Sequence, residues 1–298
     1  MERLSIPTFT FATKTYCLLT KPGIIFGNIV TTAGGFLLAS RGHIDLWLFV
    51  ATLVGLTCVI ASGCVFNNYI DRDADKKMAR TKNRAFAQEA VSVRPALLFG
   101  ALLGVVGVLC LAFFVNLLSL VIAVVGFIVY VALYSFSKYY SVHGTLIGSV
   151  AGAIPPVVGY CGASNTLDLG ALIFFLIIVA WQMPHFFSIA IFRLEDYEKA
   201  SIPVLPLKKG IWRTKIQMIL YIVVFGVIAS MLTVFHYVGY GYLIVSMLLT
   251  LAWLILCVRG LTARNDKVWA RQMFVCSLVV VMGLCLAIPF SVNHFSAS

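Results

Sequence analysis

The stretch CVFNNYIDRDADKKMARTKNR, from Cys64 to Arg84, ends a long apolar run and begins the most charged segment of the chain. Asn67, Asp71 and Asp75 are four residues apart, so a continuing helix places all three on one face. A second stripe with the same spacing lies about 100° round the helix. Its members are Arg72, Lys76, Arg80 and Arg84. The pattern predicts an oxygen-rich face beside a cationic one.

These two faces have a chemical use. Two carboxylates one turn apart at a membrane edge are costly unless a cation lies between them. Mg²⁺ prefers oxygen ligands and commonly links carboxylates to substrate phosphates. The neighbouring lysines and arginines could hold the rest of a diphosphate. The alternative is a solvated helix end whose charges pair with one another.

The apolar segments predict an all-α integral membrane protein. The chain has 298 residues, is 61% hydrophobic and has a mean hydropathy of +1.00, values that exclude an ordinary soluble protein. Nine segments are long enough, or nearly so, to cross a bilayer, and we expect them to form a single domain over residues 1–298. They run approximately over 22–39, 46–66, 96–114, 117–136, 145–162, 169–192, 216–236, 241–258 and 272–290.

The basic residues predict the orientation. A net charge of +11 could indicate nucleic acid, but its placement indicates a lipid bilayer instead. When the 22 lysines and arginines are assigned to alternate sides of nine spans, only Arg41 falls on the opposite side from the others. By the positive-inside rule the N-terminus is cytoplasmic. The loops 67–95 and 193–215 then form a cytoplasmic cap over the active site.

Spans 4 and 6 end in further candidate residues. Lys138 follows span 4 and either anchors it at the lipid interface or contacts a diphosphate. His185 lies in an otherwise apolar helix, where packing is the usual role and ligation or acid–base chemistry the alternative. The loop after span 6 adds a second mixture of acids and bases. Its candidate residues are Glu195, Asp196, Glu198 and Lys199.

Acidic clusters above apolar helices suit a substrate with a diphosphate head and a long hydrocarbon tail. Bound metal and cations would stabilise a departing diphosphate, and the dry interior would protect the resulting carbocation from water. A secondary transporter is the alternative from another class. Transporter sites tend to lie near the bilayer midplane, whereas these acids lie at the ends of the spans.

The spacing of Asn67, Asp71 and Asp75 resembles the first aspartate motif of the UbiA superfamily of intramembrane prenyltransferases, and the resemblance covers nearly the whole chain. More narrowly, five segments resemble the branch of that superfamily that farnesylates protohaem IX. They are LTKPGIIFGN (19–28), SGCVFNNYIDRDADKKMARTKNR (62–84), HGTLIGSVAGAIPPVVGY (143–160), WQMPHFFSIAIF (181–192) and DYEKASIPVLP (196–206).

The resemblance implies a UbiA-like helical bundle that transfers a farnesyl group from farnesyl diphosphate to a vinyl group of haem B, with water supplying a hydroxyl, to give haem O. An enzyme that prenylates a quinone precursor is the alternative within the superfamily. The resemblance also implies Mg²⁺ as cofactor and a bacterial cytoplasmic (inner) membrane location with the active site facing the cytoplasm. Haem-handling or terminal-oxidase assembly proteins are candidate partners, and nucleic acid is not.

The resemblance also assigns the site residues. Asn67, Asp71, Asp75 and Asp196 would bind the metal, and His185 would act on the haem. The diphosphate would contact Arg72, Lys76, Arg80, Arg84, Lys138 and Lys199. The second DxxxD motif is degenerate, since Ala200 stands four residues after Asp196, and Glu195 or Glu198 is a candidate substitute.

Overall fold

The computed structural model describes residues 9–291, and within that range it is helical without a β-strand. Nine of its helical segments are long and apolar enough to cross a membrane, which agrees with the number predicted from the sequence. We name them spans 1 to 9. They are Pro22–Ser40, Leu46–Ile70, Val93–Phe114, Leu117–Tyr140, Gly144–Ser164, Leu169–Phe192, Ile211–Val234, Tyr240–Thr262 and Asp266–Ala287.

Short helices lie outside the spans, and three spans are irregular. The short helices are Phe9–Leu19, Arg72–Lys77, Leu194–Lys199 and Leu205–Lys209. Span 4 contains a π-helical turn at Val129–Tyr134, between α-helices Leu117–Ile128 and Ser135–Tyr140. Span 5 consists of Gly144–Gly152 and Ile154–Ser164, and span 8 ends in a 3₁₀ turn at Gly260–Thr262.

The outside of the bundle is apolar, as a lipid-facing surface must be. Leu98 and Phe113 of span 3 and Leu248 of span 8 are more than 60% exposed. The largest buried cluster joins spans 6 to 9, where Phe174, Phe225 and other large side chains interlock. An α-helix satisfies its backbone polar groups internally, which is the condition for crossing a bilayer.

Several pairs of spans pack closely along their lengths. Span 1 packs along span 5, span 2 along span 3, and span 6 along spans 7 and 9. A Cβ added at Gly35 would overlap the carbonyl of Pro156, and one added at Gly159 would overlap that of Thr32. Glycine therefore allows the backbones of spans 1 and 5 to touch.

We call the end of the bundle that carries residues 71–92 and 193–210 the charged end. A buried ion pair holds spans 7, 8 and 9 together near it. Lys215 Nζ lies 2.5 Å from Asp266 Oδ1 and donates to the carbonyl of Gly260 at 2.6 Å. Its charge also lies 5.0 Å from the ring centroid of Trp269. Three elements far apart in sequence thus share one satisfied cation.

The predicted cationic stripe is wrong in its second half. The helix after span 2 ends at Lys77, and Met78 has extended backbone angles. Residues beyond it form turns, so Arg80 and Arg84 do not continue the line of Arg72 and Lys76. The chain instead folds back over the helix, with the hydroxyl of Thr81 donating to the carbonyl of Asp75 at 3.2 Å.

Candidate active site

Asn67, Asp71 and Asp75 lie on one helical face, as their spacing predicted. Span 2 ends at Ile70, but Asp71 keeps α-helical angles and the next helix starts at Arg72. The N–H of Asp71 donates to the carbonyl of Asn67 at 2.9 Å, and that of Asp75 donates to the carbonyl of Asp71 at 2.8 Å. All three side chains are buried. A buried carboxylate needs a cation or several donors, and each one here has such a partner.

Asn67 has three side-chain partners, Lys21 before span 1 and Tyr130 and Ser135 in span 4. Its Oδ1 accepts from Lys21 Nζ at 2.5 Å and from the hydroxyl of Tyr130 at 3.3 Å. Its Nδ2 donates to Ser135 Oγ at 2.8 Å. The amide orientation is therefore fixed, because a cation and a hydroxyl donor both point at its oxygen. The oxygen faces the same side as the carboxylates.

Asp71 is held by the end of span 4. Lys138 Nζ lies 2.6 Å from its carboxylate, and the hydroxyl of Tyr139 donates to Oδ1 at 2.8 Å. The π-helical turn at 129–134 precedes both residues and also carries Tyr130. Such turns often occur at functional sites because they change which side chains face inwards. Here the turn precedes the two residues that contact Asp71.

Asp75 is paired with Arg84. One guanidinium nitrogen, Nη1, lies 2.9 and 3.1 Å from the two carboxylate oxygens. The Asp75 side chain is 2% exposed and that of Arg84 is 28% exposed, so the arginine reaches in from the surface. The turn at residues 78–84 makes this contact possible, and a straight helix would have carried Arg84 away.

Lys21 was not predicted as a site residue. It immediately precedes span 1, in the left-handed backbone region at φ 54°. This conformation is uncommon for a residue with a side chain and often marks a functional position. Burial lowers the pKa of Lys21 to about 8, and the positive charges of Arg84 and Lys138 lower it further. Lys21 therefore belongs to the same electrostatic cluster as the acids.

The other predicted cations lie on the outside of the site. Arg72 donates to the carbonyl of Tyr69 and lies 4.2 Å from the centroid of its ring. Lys76 pairs with the exposed Glu89 at 2.8 Å, which raises the pKa of Lys76 and lowers that of Glu89. Arg80 is exposed. None of these three side chains contacts the three site acceptors within the described residues, so their diphosphate role stays a prediction.

The second acidic loop is built differently. Asp196 is buried, and its Oδ1 accepts the backbone N–H of Ala79 at 2.9 Å. Glu195 is exposed and pairs with Lys267 at 3.4 Å, while Glu198 and Lys199 are exposed. The structure does not bring either glutamate to the first cluster. Through its hydrogen bond to Ala79, Asp196 stabilises the turn that brings Arg84 back to Asp75.

His185 lies between spans 6 and 9, apart from the acid cluster. Its ring stacks on Trp181 with centroids 4.9 Å apart, and the ring of Phe274 lies 5.0 Å away. Its Nδ1 is 2.7 Å from Ser277 Oγ. The ring is half-buried. The histidine thus has aromatic neighbours and a hydroxyl partner.

The donor chemistry of the first cluster fits Mg²⁺. Two carboxylates and an amide oxygen face one side, and hard divalent cations take such oxygens. Within residues 9–291 there is no group of three or more His, Cys, Asp or Glu side chains arranged to hold a metal, so the amide of Asn67 is needed to complete a set of three. Lys21, Lys138 and Arg84 neutralise these oxygens in this structure.

The family profile of UbiA prenyltransferases matches residues 28–279. The chain belongs to the UbiA prenyltransferase family. Over 275 residues it is 56% identical to the protoheme IX farnesyltransferase of Protochlamydia amoebophila (strain UWE25), covering 92% of this chain and 97% of that relative. It is 53% identical over 272 residues to the protein of the same name from Cronobacter sakazakii (strain ATCC BAA-894), covering 91% and 92%.

Solved structures show the same UbiA fold. A structure described as digeranylgeranylglyceryl phosphate synthase superposes with a TM-score of 0.76 at 21% identity, covering 93% of this chain and 97% of that one. A UbiA homolog from Archaeoglobus fulgidus bound to GPP and Mg²⁺ gives a TM-score of 0.67 at 14% identity, covering 93% and 99%. The chain is a multi-pass membrane protein and a prenyl-transferring enzyme. Family membership argues against the transporter alternative.

Four residues of this UbiA site escaped prediction from the sequence. Lys21, Tyr130, Ser135 and Tyr139 reach it from spans 1 and 4. The hydroxyl of Tyr139 shares Asp71 with Lys138. The one available signal was the run of Tyr130, Tyr134 and Lys138 at four-residue spacing.

Proposed function

We propose that this protein transfers the farnesyl group of farnesyl diphosphate to a vinyl group of haem B, and that water completes the product, haem O. In this reaction the bond between farnesyl C1 and the diphosphate oxygen breaks, and the electron pair leaves with the diphosphate. C1 bonds to the terminal vinyl carbon. Water then adds to the other vinyl carbon and releases a proton, leaving a hydroxyl group.

The observation that carries the proposal is the first acid cluster with its ring of cations. Asn67, Asp71 and Asp75 present three buried oxygen acceptors, and Lys21, Arg84 and Lys138 contact them from three directions. The positive metal would complement the oxygen acceptors, and the negative diphosphate would complement the cations. The name shared by relatives 56% and 53% identical to this chain supports haem as the acceptor and farnesyl diphosphate as the donor.

Asn67, Asp71 and Asp75 would hold Mg²⁺, which when bound neutralises charge on the diphosphate as it departs. Support comes from the donor set and from the related fold that binds GPP and Mg²⁺. Lys21, Lys138 and Arg84, released from Asn67, Asp71 and Asp75 respectively, would then bind phosphate oxygens directly. The hydroxyl of Tyr139 would turn from Asp71 to the same oxygens. Asp196 as a fourth metal ligand stays a prediction, since its Oδ1 already holds the loop.

The place of His185 supports two separate subsites. The acids lie at the charged end, whereas His185 lies between spans 6 and 9 among Trp181 and Phe274. Aromatic side chains suit a flat porphyrin, and a neutral imidazole can ligate its iron. We propose that haem B binds against span 6 with a vinyl edge towards the diphosphate end.

The test is a reconstituted reaction. Purified protein with Mg²⁺, farnesyl diphosphate and haem B should yield haem O, identified by mass, and Asp71→Asn should yield almost none. Thorough chelation of divalent metal should stop the reaction and added Mg²⁺ should restore it. Prenylation of an aromatic quinone precursor without any farnesylated haem would replace this function with the quinone-type alternative.

We also propose that the charged end faces the cytoplasm of a bacterial inner membrane, because the basic residues concentrate there. A cysteine introduced at the exposed position Gln88, in a background without other cysteines, should resist an impermeant maleimide in intact cells. Labelling from outside would reverse the orientation. Docking of haem-handling or terminal-oxidase assembly proteins stays a prediction.

A further inference from the structure

The hydrogen bond between His185 and Ser277 defines which ring nitrogen of the histidine is free. Ser277 lies in span 9 and is fully buried. Its Oγ is 2.7 Å from Nδ1 of His185 and 2.6 Å from the carbonyl oxygen of Phe274. Nε2 of His185 has no hydrogen-bond partner among residues 9–291. The ring is stacked on Trp181, which limits how it can turn.

Counting protons assigns the tautomer. A serine hydroxyl has a single proton, and a carbonyl oxygen can only accept. Two oxygens at 2.6 Å need a proton between them, so the Ser277 proton points at the carbonyl of Phe274. The short contact from Ser277 Oγ to Nδ1 needs a proton as well, and this one must be on Nδ1. In a neutral ring Nε2 then carries the free lone pair.

We infer that Ser277 is a positioning residue, which holds the Nδ1–H tautomer of His185 and thereby presents the Nε2 lone pair to the iron of the haem substrate. This inference rests on the proposed function and adds to it the residue that prepares the histidine. A hydrogen bond at the far nitrogen fixes the ring of a metal-ligating histidine and raises its basicity. Ser277 supplies that bond from a helix 92 residues away in sequence.

Trp181 links Ser277 to span 6, the helix that also carries His185. Its indole N–H donates to the backbone carbonyl of Ser277 at 2.7 Å. Trp181 and His185 are one turn apart on span 6, so both ends of the contact engage the same residue of span 9. The arrangement holds spans 6 and 9 at the distance where the Ser277 hydroxyl meets the imidazole. Trp181 and Ser277 therefore position the proposed iron ligand, His185, and do not bind the iron themselves.

The experiment compares haem B binding to the detergent-purified protein and to three variants, Ser277→Ala, Ser277→Thr and His185→Asn. Ser277→Ala should weaken haem binding by about 2- to 13-fold, the range expected for the loss of one hydrogen bond. It should also lower the iron–histidine stretching frequency in the resonance Raman spectrum of the ferrous complex, because the imidazole becomes a weaker donor. Ser277→Thr keeps the hydroxyl and should restore both. His185→Asn keeps a donor for Ser277 and should abolish the iron–histidine band.

A second measurement needs no change at Ser277. Solid-state NMR of the haem-free protein with ¹⁵N-labelled histidine should show a protonated Nδ1 and an unprotonated Nε2 for His185, assigned by the loss of that signal in His185→Asn. A protonated Nε2 would overturn the inference. An unchanged iron–histidine band in Ser277→Ala would overturn it too, as would the absence of such a band in the wild type. If the wild type farnesylates haem in these cases, the proposed function survives without the inference. A wild type that binds haem through His185 but never farnesylates it would remove the function instead.

Discussion

The loops after spans 2 and 6 are alike in composition but opposite in use. Both place aspartates next to lysines and arginines at the charged end of the bundle. In the first loop the buried side chains of Asp71 and Asp75 pair with cations, Lys138 from span 4 and Arg84 from the same loop. In the second, Asp196 is buried against a backbone N–H, and its acidic neighbours are exposed. The two loops therefore differ in the partners of their buried aspartates, which are side-chain cations in the first loop and a backbone N–H in the second, and not simply in their number of acids.

The largest expected effect separates buried from exposed aspartates of the first loop. Asp71→Asn or Asp75→Asn keeps the size but removes a charge, and should lower kcat by about 100-fold or more, as losses of key electrostatic groups do. Asp73 is 73% exposed and pairs only loosely with Arg72 at 3.7 Å, so Asp73→Asn is the matched control and should have little effect. The measurement is haem O formation. Equal losses in all three variants would contradict the arrangement in which Asp71 and Asp75 share the buried face and Asp73 is exposed.

The next effect concerns the charge on Lys21. With a pKa of about 8, the free enzyme loses this charge as the pH rises from 7 to 9. Since kcat/KM reports the free enzyme, its value for farnesyl diphosphate should fall by up to about tenfold over that range.

Lys21→Arg provides the control for the pH profile. Arginine stays charged throughout, so the variant should show no such decline in kcat/KM above pH 7. A wild-type profile that is flat to pH 9 would place Lys21 outside the diphosphate site. Identical declines in the wild type and the variant would assign the titration to another group.

A smaller effect tests whether Asp196 stabilises the turn at Ala79 or binds the metal. Asp196→Asn keeps an oxygen that accepts from the N–H of Ala79, so haem O formation should stay close to that of the wild type. Asp196→Ala removes the acceptor and should cost about fivefold in kcat/KM through the turn that carries Arg84, as the loss of one hydrogen bond does. A loss in Asp196→Asn as large as that in Asp71→Asn would instead make Asp196 a metal ligand, as the sequence hypothesis has it.

The smallest effect is expected on the outer face of the first loop. Lys76→Ala breaks an exposed pair with Glu89, and such pairs contribute little. It should change kcat/KM for farnesyl diphosphate by less than about twofold. Arg84→Ala is the contrasting variant and should be far more damaging, because it leaves Asp75 buried without its cation. Equal damage in the two variants would contradict the placement of Lys76 on the outside of the site.

The sequence predicted what local periodicity controls. Apolar runs of about 20 residues specify membrane helices, and four-residue spacing places Asn67, Asp71 and Asp75 on one face. It could not predict that the helix ends at Lys77, because no proline or glycine follows and the turn depends on the contact between Arg84 and Asp75. Nor could it predict partners such as Lys21 for Asn67, 46 residues apart, since these depend on how helices pack.

His185 illustrates the same limit. The WQMPHFF segment shows a histidine among aromatic residues, yet packing, ligation and acid–base chemistry all remain open from that segment alone. The segment also does not show the contact between His185 and Ser277, which lies in span 9. The two residues are 92 positions apart, so only the packing of spans 6 and 9 shows the contact from which the tautomer of His185 is inferred.

The π-helical turn of span 4 limits how the enzyme could be redesigned. A π turn holds about one residue more than an α turn, so deleting one residue within Val129–Tyr134 would let the span become a regular α-helix. Converting the turn to an α-helix at full length, without a deletion, would instead rotate everything beyond it by about 100°. Lys138 and Tyr139 would then face away from Asp71. A span 4 idealised for stability would give a better helix with its two contacts to Asp71 pointing into lipid.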